Sequence, residues 1–321
     1  MLMACVGVGF PYLYAANILI LIFFLFRRSR HWKWSLLSML VGLPALLNLV
    51  AFNKNHNACD NREEKLKIVS FNVKNLSNSN FEHNNAAVTA RIYDYLDKTD
   101  ADVILLQEFF FPGEDKNASI AELEALTATK YHCYTNYFNG QRNSILTLSK
   151  HQLINVESLR RDNKSYAVIC DMVKGSDTIR IFNVHLQSLH LNMEDYSNIP
   201  QTSDDVKSKA GKLYSNLSTA FKEREMQVEV LQNMINDSPY RIVLAGDLND
   251  TPTSHTYRTL TKILNDTFKE VGSGFGFTFR DIPLMRIDYM FHSENIESQS
   301  FIIEKHKGMS DHDAIVGTFC I

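Results

Sequence analysis

The apolar pattern divides the chain into an N-terminal part and a longer remainder. Residues 1–26 contain no charged side chain, and residues 12–26 are strongly apolar. A second uncharged run covers residues 34–52, and a basic segment separates the two runs. Each run is close to the roughly 20 residues that a membrane-spanning helix needs. The pattern therefore predicts a transmembrane helical hairpin over residues 1–52 with a basic loop at residues 27–33.

The charge of that loop predicts how the hairpin is oriented. It contains Arg27, Arg28, Arg30 and Lys33, and loops rich in such residues stay in the cytoplasm. We therefore expect an integral membrane protein whose remaining chain lies outside the cytoplasm, on the periplasmic face of the inner membrane. A signal peptide is the alternative for the first run, but that run has no basic start and no small-residue cleavage site after it. The polar segment 53–64 predicts a linker to a single domain at residues 65–321.

The remainder alternates short apolar runs of strand length with longer stretches of helical spacing. Strands dominate and helices are interleaved, which is typical of two packed sheets with helices outside. Gly246 is expected to end the strand before it. The predicted strands are 65–71, 102–107, 143–148, 153–158, 166–173, 178–184, 242–245, 286–291 and 314–319. The predicted helices are 85–96, 120–126, 203–235 and 253–264.

Charge and cysteine content narrow the classes of function. The chain has a net charge of -3, and residues 1–52 carry four basic side chains and no acid, so the rest carries -7. An acidic domain lacks the positive footprint of a non-specific nucleic-acid groove, although a local basic cleft is compatible with it. Five cysteines without a C-x-x-C pair argue against a zinc site and against a disulfide framework, while a single bridge stays open. Cys170 and Cys320 lie in apolar strand patterns and are expected to be small core residues.

Polar side chains suited to phosphate or metal chemistry follow the ends of the predicted strands. Each of them alone is more often a turn residue or a hydrogen-bonded core residue. Their repetition at one strand end after another favours a shared site, because binding residues concentrate on loops that a rigid scaffold positions. The residues at or just beyond a strand end are Asn72, Glu108, His185, Asp247, Asn249, Asp311 and His312, and Asp288 lies within a strand.

Six motifs around these residues, in this order, closely resemble those of the endonuclease/exonuclease/phosphatase superfamily. They are F-N-V-K-N, L-L-Q-E, N-V-H-L-Q-S, A-G-D-L-N-D, R-I-D-Y-M-F and M-S-D-H-D. The resemblance covers residues 65–321, which it identifies as a catalytic domain. It implies an α/β fold, a four-layer α/β/β/α sandwich of two packed mixed sheets flanked by helices. With the hairpin in front, the chain looks like a membrane-tethered member of bacterial type.

The resemblance also implies where a cation binds and which group activates water. Glu108 would be the principal ligand of Mg²⁺, with Mn²⁺ as a possible substitute, because carboxylate oxygen suits these hard cations. Asn72 would lie beside it, and Asp311 would be a second ligand. His312 would take a proton from the attacking water, and Asp288 would hold its ring in the right tautomer.

Further residues would handle the phosphoryl group. Asp247 and Asn249 would orient the water and bind a phosphoryl oxygen, and His185 would donate to a phosphoryl or leaving oxygen. Arg142 and Asn143 resemble the start of a family strand that lines the cleft. For Arg142 an exposed loop arginine is the equally good alternative. The positions expected to bind substrate phosphate are Asn72, Asn143 and Arg142.

Three functions remain open at this point. The first is a membrane-anchored, magnesium-dependent phosphodiesterase or phosphatase that uses in-line attack by water. Its substrate would be a lipid head group, a small phosphoester or nucleic acid, and its partner the bilayer; no obligate protein partner is inferred. The second is an extracytoplasmic metal-dependent nuclease, which the acidic domain disfavours. The third is an inactive adaptor, although Glu108, Asp247 and His312 are all present. Residues 189–202 are expected either to shape the substrate pocket or to form a surface excursion. For residues 271–280, packing of the phenylalanines in the core is favoured over contact with substrate.

Overall fold

The structure, a computed structural model, describes residues 2–52, 65–77, 82–138, 141–188 and 203–321. Its N-terminal part is a pair of antiparallel helices, α1 (Leu2–Phe26) and α2 (Trp32–Leu47). Asn17 joins them, because its Nδ2 donates to Ser38 Oγ over 2.6 Å and its Oδ1 accepts from Ser35 Oγ over 2.5 Å. These bonds satisfy polar groups on two otherwise apolar helices.

The two helices differ in length. Residues Gly7–Phe26 of α1 are long and apolar enough to cross a membrane, by a test of length and composition that a signal sequence also passes. Helix α2 has 16 residues, so it is about 24 Å long. It ends at Leu47, and Val50–Ala51 forms a short strand, β1, that pairs with β11 (Gly274–Phe275). The sequence had predicted a helix over the whole second apolar run. The structure instead ends that helix at Leu47 and pairs Val50–Ala51 with the folded domain.

The domain contains two six-stranded sheets. In spatial order, sheet 1 consists of β13 (Glu297–Glu304), β14 (Ala314–Cys320), β2 (Lys65–Asn72), β3 (Val103–Phe110), β5 (Asn143–Ser149) and β4 (Tyr131–Asn136). Sheet 2 consists of β10 (Asn265–Asp266), β12 (Asp288–His292), β9 (Arg241–Asp247), β8 (Asp177–His185), β7 (Lys164–Lys174) and β6 (Gln152–Arg161). Each sheet is mixed, because β2–β3 and β8–β9 pair in parallel whereas their other neighbours are antiparallel.

Helices cover the outer face of each sheet. Alternation along β2 shows the layering, because Leu66 and Ile68 enter the core between the sheets while Val69 and Phe71 enter an outer core. Helices α3 (Ala86–Thr99) and α4 (Lys116–Thr127) pack on sheet 1, and α5 (Ser203–Asn236) and α6 (His255–Leu260) pack on sheet 2. A fifth domain helix, α7 (Thr267–Val271), follows β10. The predicted four-layer α/β/β/α sandwich is confirmed.

Several elements differ from the sequence prediction. Strands β4 and β13 were not predicted, and they are the two edge strands of sheet 1, where half-exposed polar residues weaken the apolar alternation. Helix α6 begins two residues later than predicted, because Ser254 caps it by accepting the Tyr257 amide, and it ends at Leu260, four residues earlier than predicted. The predicted linker 53–64 and the loop 189–202 lie outside the described residues.

The cysteines also differ from expectation. Cys133 and Cys170 are buried and free, and Cys170 is the core residue that was predicted. Cys320 is disulfide-bonded and half-buried, so its apolar strand context gave the wrong expectation.

Candidate active site

The carboxyl ends of the two parallel strand pairs meet at one edge of the sandwich. Sheet 1 contributes Asn72 at the end of β2 and Glu108 near the end of β3. In sheet 2, His185 at the end of β8 lies opposite Asp247 at the end of β9. Asp247 in turn lies opposite Asp288 at the start of β12. The fold therefore brings polar residues from both sheets to a single cluster.

Asn72 connects the two sheets within this cluster. Its side chain is buried, and Nδ2 donates to Asp247 Oδ2 over 3.0 Å and lies 3.5 Å from Glu108 Oε1. Its Oδ1 accepts the backbone amide of Lys74 over 3.1 Å. The amide is thus oriented by the turn that follows β2, and it holds carboxylates of both sheets.

Glu108 occupies an irregular position in β3. The pairing of β3 with β5 shifts register between Leu106 and Phe109, and Glu108 has a φ of 52° in the left-handed region. The phenolic oxygen of Tyr137 accepts the Glu108 amide over 3.0 Å, which satisfies the donor that the bulge removes from the ladder. A bulge of this kind redirects a side chain, here toward the neighbouring sheet.

A left-handed turn supplies the second partner of Glu108. Lys74, Asn75 and Leu76 follow β2 with φ of 47°, 54° and 54°. Asn75 Nδ2 donates to Glu108 Oε2 over 3.2 Å. Asparagine tolerates the left-handed region better than most residues. The F-N-V-K-N motif includes Asn75, but the sequence prediction gave it no role. The available signal was an asparagine three residues past the strand-end asparagine Asn72.

Two lysines that the sequence did not single out also border the cluster. Lys74 Nζ lies 2.8 Å from Asp311 Oδ2 and forms an ion pair with it. Lys164 Nζ donates to Gln187 Oε1 over 3.1 Å. Burial lowers the pKa of Lys164, and the negative charge of Glu108 partly offsets that effect. Both amines therefore lie in the electrostatic field of the carboxylates.

His312 and Asp288 form a buried pair. His312 Nδ1 lies 2.9 Å from Asp288 Oδ2 and 3.1 Å from Oδ1, while Nε2 lies 3.8 Å from Asp247 Oδ2. Burial lowers the pKa of His312, but the charges of Asp288 and Asp247 outweigh burial and raise that pKa to about 10. The ring of Phe279 packs against the imidazole with centroids 4.9 Å apart. Asp288 thus fixes the ring so that Nε2 faces Asp247.

Asp247 ends β9 at the centre of the cluster. Its Oδ1 accepts the backbone amide of Asn249 over 2.7 Å, and Asn249 has a φ of 51°. Asn249 Nδ2 donates to Leu186 O over 3.1 Å, so this turn is tied to the exit of β8. Burial, and then repulsion by Asp288, raises the pKa of Asp247 to about 7.

Gly246 lies inside β9, so the prediction that it ends the strand was wrong. Its φ is 144°, which disfavours any residue with a side chain. A Cβ at this position would lie 2.0 Å from Val184 O on the parallel neighbour β8. The glycine therefore allows β8 and β9 to stay paired up to His185 and Asp247.

His185 is oriented by Tyr137. The phenolic oxygen is hydrogen-bonded to His185 Nδ1, and Nε2 lies 3.5 Å from Glu108 Oε1 and 3.6 Å from Asp247 Oδ2. Tyr137 thereby contacts both the bulge at Glu108 and this imidazole. It lies beyond β4 in a segment with no recognisable strand-end pattern, and the sequence gave no signal for it.

The turn before β14 is tied to the end of β2. Ser310 Oγ donates to Asn72 O over 2.7 Å and accepts the His312 amide over 3.1 Å. Burial tends to raise the pKa of Asp311, but His312 and Lys74 outweigh it, so the pKa of Asp311 is lowered. Asp311 is therefore an ionised carboxylate with a lysine partner.

Helix α5 supports the same edge from outside. Arg224 is fully buried; its Nη1 donates to Gln187 O over 2.7 Å and its Nε to Asp250 Oδ2 over 3.2 Å. Gln227 Oε1 accepts the Gln187 amide over 2.9 Å. The exits of β8 and β9, which carry His185 and Asn249, are thus held by one helix.

Arg142 and Asn143 lie apart from these contacts. Arg142 Nη2 donates to the carbonyls of Phe111, Pro112 and Gly113 over 2.7, 2.9 and 2.6 Å. Asn143 begins β5 opposite Phe110, and its Oδ1 is buried with no hydrogen-bond partner among the described residues. The guanidinium of Arg142 therefore stabilises the loop after β3. The sequence had predicted phosphate binding for Arg142 and did not predict this structural role.

The cluster offers two positions for a cation. Atoms of Asp247, Asp288 and His312 lie within 4.8 Å of one another, but Asp288 already accepts from His312 Nδ1. On the other side, Glu108 has neutral amide partners, and burial and then the charge of Asp311 raise its pKa. Carboxylate oxygens such as those of Glu108 and Asp311 are ligands that Mg²⁺ prefers, whereas imidazole suits transition metals. The residues around Glu108 therefore fit magnesium better than the histidine group does.

The fold and this edge define a class of protein, the four-layer α/β/β/α hydrolases whose polar cluster lies at the carboxyl ends of the central strands. The chain belongs to the Endonuclease/Exonuclease/phosphatase family, whose family model matches residues 69–312. Members of this family are typically metal-dependent hydrolases of phosphate esters. A search of curated proteins found no match.

Solved structures agree with the fold. An endonuclease/exonuclease/phosphatase from Beutenbergia cavernae has a TM-score of 0.59 at 19% identity, and the match covers 80% of this chain and 72% of that one. The human Nocturnin catalytic domain with bound sulfate anion has a TM-score of 0.55 at 15% identity, covering 81% and 96%. D. rerio TDP2 complexed with single strand DNA product has a TM-score of 0.56 at 18% identity, covering 79% and 98%. Identities this low show the fold alone.

Proposed function

We propose that the chain is a membrane-anchored, magnesium-dependent phosphodiesterase or phosphatase. The observation that carries this proposal is the pairing of His312 with Asp288, which directs Nε2 toward Asp247 at 3.8 Å. A proton acceptor held beside hydrogen-bonding amides and histidines is what in-line attack by water on a phosphoryl group needs. The two sheets support the proposal together, since each contributes part of this cluster.

His312 and Asp247 handle the proton of the attacking water. Asp288 fixes the imidazole, and His312 Nε2 and Asp247 Oδ2 face the same space. The pKa of His312 is raised to about 10, so its imidazole carries a proton at neutral pH, whereas the pKa of Asp247 is raised to about 7, so part of this carboxylate is free to take a proton from water. Asp247 therefore shares the role of base that the sequence predicted for His312.

Other side chains bind the phosphoryl group. Asn249 and Asn72 orient water and phosphoryl oxygen through their amides. Asn143 lines the cleft in this proposal, because its buried Oδ1 has no hydrogen-bond partner among the described residues. His185 donates from Nε2, because Tyr137 occupies Nδ1. Arg142 contributes indirectly, since its bonds to the 111–113 loop support the segment after Glu108.

The cation is proposed to bind on the Glu108 side. Glu108 would hold it together with Asn72 and Asp311, and Mn²⁺ would substitute for Mg²⁺ at such oxygen ligands. When bound, the metal supplies positive charge that offsets the charge of the phosphoryl oxygens. Asn75 keeps Glu108 oriented through its hydrogen bond to Oε2.

The N-terminal helices are proposed to anchor the domain outside the cytoplasm. The length of Gly7–Phe26 supports a membrane span, and the basic loop 27–33 favours a cytoplasmic position for that loop. The disulfide at Cys320 supports an oxidising compartment such as the periplasm. A tag next to Arg28 that added protease digests in intact cells would contradict this orientation.

Cleavage of nucleic acid is the second candidate. It is favoured by the shared fold with D. rerio TDP2, whose structure is described as complexed with single strand DNA product. The charge of -7 outside the N-terminal helices weighs against it. Cleavage of plasmid DNA that weakens steeply with salt would favour this candidate, because phosphate contacts release counterions.

The main experiment measures hydrolysis by the full chain purified in detergent. Bis(p-nitrophenyl) phosphate and p-nitrophenyl phosphate report diester and monoester hydrolysis, each with Mg²⁺ and with a chelator. We expect turnover with Mg²⁺ and expect His312→Ala to lower kcat/KM by about 10²–10⁴-fold, the usual contribution of a positioned acid or base.

The control is His132→Ala, because His132 is an exposed histidine that pairs with Glu124 on the edge strand β4. The control should keep wild-type activity. A folded wild-type protein with no turnover of either ester would support the inactive adaptor and remove this proposal. Turnover by His312→Ala equal to that of the control would remove His312 from the proposed mechanism.

A further inference from the structure

An exposed apolar surface lies where the helical pair joins the domain. We define the aromatic patch as Phe52, Phe275, Phe277 and Ile302. Phe52, Phe275 and Ile302 are 68%, 59% and 52% exposed. The rings of Phe275 and Phe277 stack with centroids 5.2 Å apart. A contiguous apolar surface of this kind marks an interaction site more often than scattered exposed residues do.

The patch is more than a group of side chains on a flat surface. A cavity of about 340 Å³ lies beneath it, lined by Phe275, Phe277 and Ile302 together with the buried rings of Phe268 and Phe301. Lys305 is the cation in the lining. An opening that combines aromatic rings with polar groups, among them Ser273 and the basic Lys305, matches the chemistry of a phospholipid, which has apolar chains and an anionic phosphate.

The patch is fixed to the end of α2. Val50 of β1 lies opposite Phe275 of β11, so Phe52 and Phe275 share one face of this ribbon. Lys269 Nζ donates to Leu47 O over 2.6 Å and also to Val50 O, which ties the domain to the last turn of α2. The patch is therefore continuous with the proposed membrane anchor.

The other helix makes contacts at the same end. Thr253 Oγ1 donates to Gly7 O over 2.9 Å, and the hydroxyl of Tyr12 donates to Pro283 O. Gly7 begins the segment of α1 that is long enough to cross a membrane. If that segment spans the bilayer, the domain begins at the membrane surface, where the aromatic patch also lies.

We propose that the aromatic patch enters the interfacial region of the same bilayer that α1 crosses, with lipid chains reaching the cavity beneath Phe275. Aromatic side chains favour this interface, and burying their exposed area there is favourable. The inference rests on the anchoring part of the proposed function. The inference adds that residues of the domain itself contact the lipid surface, so that the linker is not the domain's only connection to the membrane.

The test uses the full chain reconstituted in phosphatidylcholine vesicles whose lipids carry bromine near the head group, which quenches tryptophan at that depth. Phe275→Trp and Ile302→Trp are two independent reporters on different strands. The wild-type emission from Trp32 and Trp34 is subtracted. We expect the added emission of both variants to fall about twofold in brominated vesicles, as for aromatic residues at the interface.

Tyr131→Trp is the matched control, because Tyr131 is 40% exposed on β4, the edge of sheet 1 opposite the strand that carries Ile302. Its added emission should not change. Quenching of Trp32 and Trp34 without quenching of either reporter would overturn the inference and leave the anchor intact. No quenching of Trp32 and Trp34 would overturn both. Hydrolysis of a soluble nitrophenyl ester, measured on the same samples, tests catalysis separately.

Discussion

The two halves of the candidate active site hold their charges differently. In the histidine half, Asp288 is paired with His312, and the imidazole balances the carboxylate directly. In the carboxylate half, Glu108 accepts hydrogen bonds from Asn72 and Asn75. Amides orient a carboxylate without neutralising it. We infer that the histidine half moves protons and that the carboxylate half binds the cation.

The backbone differs between the halves as well. Asp288 lies in a regular antiparallel strand opposite Asp247. Glu108 lies at a bulge in the left-handed region, and it faces a turn with three further left-handed residues. Such residues cost on the order of 1–3 kcal/mol each and persist where the surrounding structure holds them, often at functional sites. The carboxylate half is therefore the half with the strained backbone. Three experiments can distinguish its role from that of the histidine half.

The largest effect is expected from Asp288→Asn. The amide would no longer select the His312 tautomer whose Nε2 faces Asp247, and loss of such a carboxylate lowers kcat by about 10³–10⁴-fold. The concentration of Mg²⁺ for half-maximal activity should stay unchanged. The control is Asp177→Asn, an exposed acid paired with Arg241 at the other end of β8. A shifted Mg²⁺ titration in Asp288→Asn would mean that the halves are not separate.

An intermediate effect is expected from Glu108→Gln. Loss of the charged ligand should raise the Mg²⁺ concentration for half-maximal activity by about 10–100-fold, while saturating Mg²⁺ restores part of the rate. Initial rates across a Mg²⁺ series measure this. Glu124→Gln, on α4 beside His132, is the matched control. An unchanged titration would remove Glu108 from the metal site.

The smallest effect is expected in thermal stability. Mg²⁺ that binds the folded chain at 100 times its Kd stabilises it by about 2.7 kcal/mol, which raises Tm by a few degrees. Asn75→Gly keeps the left-handed turn but removes the hydrogen bond to Glu108, so it should reduce this shift, whereas His312→Ala should preserve it. Thermal unfolding with Mg²⁺ and with a chelator measures the difference. A shift that vanishes in His312→Ala but persists in Asn75→Gly would reverse our assignment.

The sequence was informative where regular strands end. Asn72, Glu108, His185 and Asp247 lie at the ends of apolar strands. Parallel pairing brings them together within each sheet, and the packing of the two sheets brings the two pairs to one edge. The pattern of strands and helices predicted two packed sheets with helices outside, and the resemblance to the superfamily implied the four layers. The edge strands β4 and β13 carry polar residues on an exposed face and therefore gave no such signal.

Residues that act through irregular backbone could not be predicted in this way. Tyr137 contacts His185 only because β4 and β8 lie in facing sheets, a relation that local spacing does not encode. The contact of Asn75 with Glu108 requires a left-handed turn, and the role of Gly246 requires a positive φ. The apolar strand pattern around Gly246 gives no sign of that φ. Arg142 fits a phosphate ligand by residue type, yet its guanidinium contacts three loop carbonyls. Partner choice for such side chains is decided by tertiary packing.

The position of β14 in sheet 1 has a consequence for synthesis on the ribosome. Ser70 pairs with Ile315, so the strand that carries Asn72 gains one of its two neighbours only after residues 314–320 have emerged. Until then an apolar strand edge is open, and non-local pairing of this kind is slow and prone to aggregation. Asp311 and His312 arrive at the same late stage. A nascent chain that still lacks residues 311–320 therefore has an incomplete candidate site.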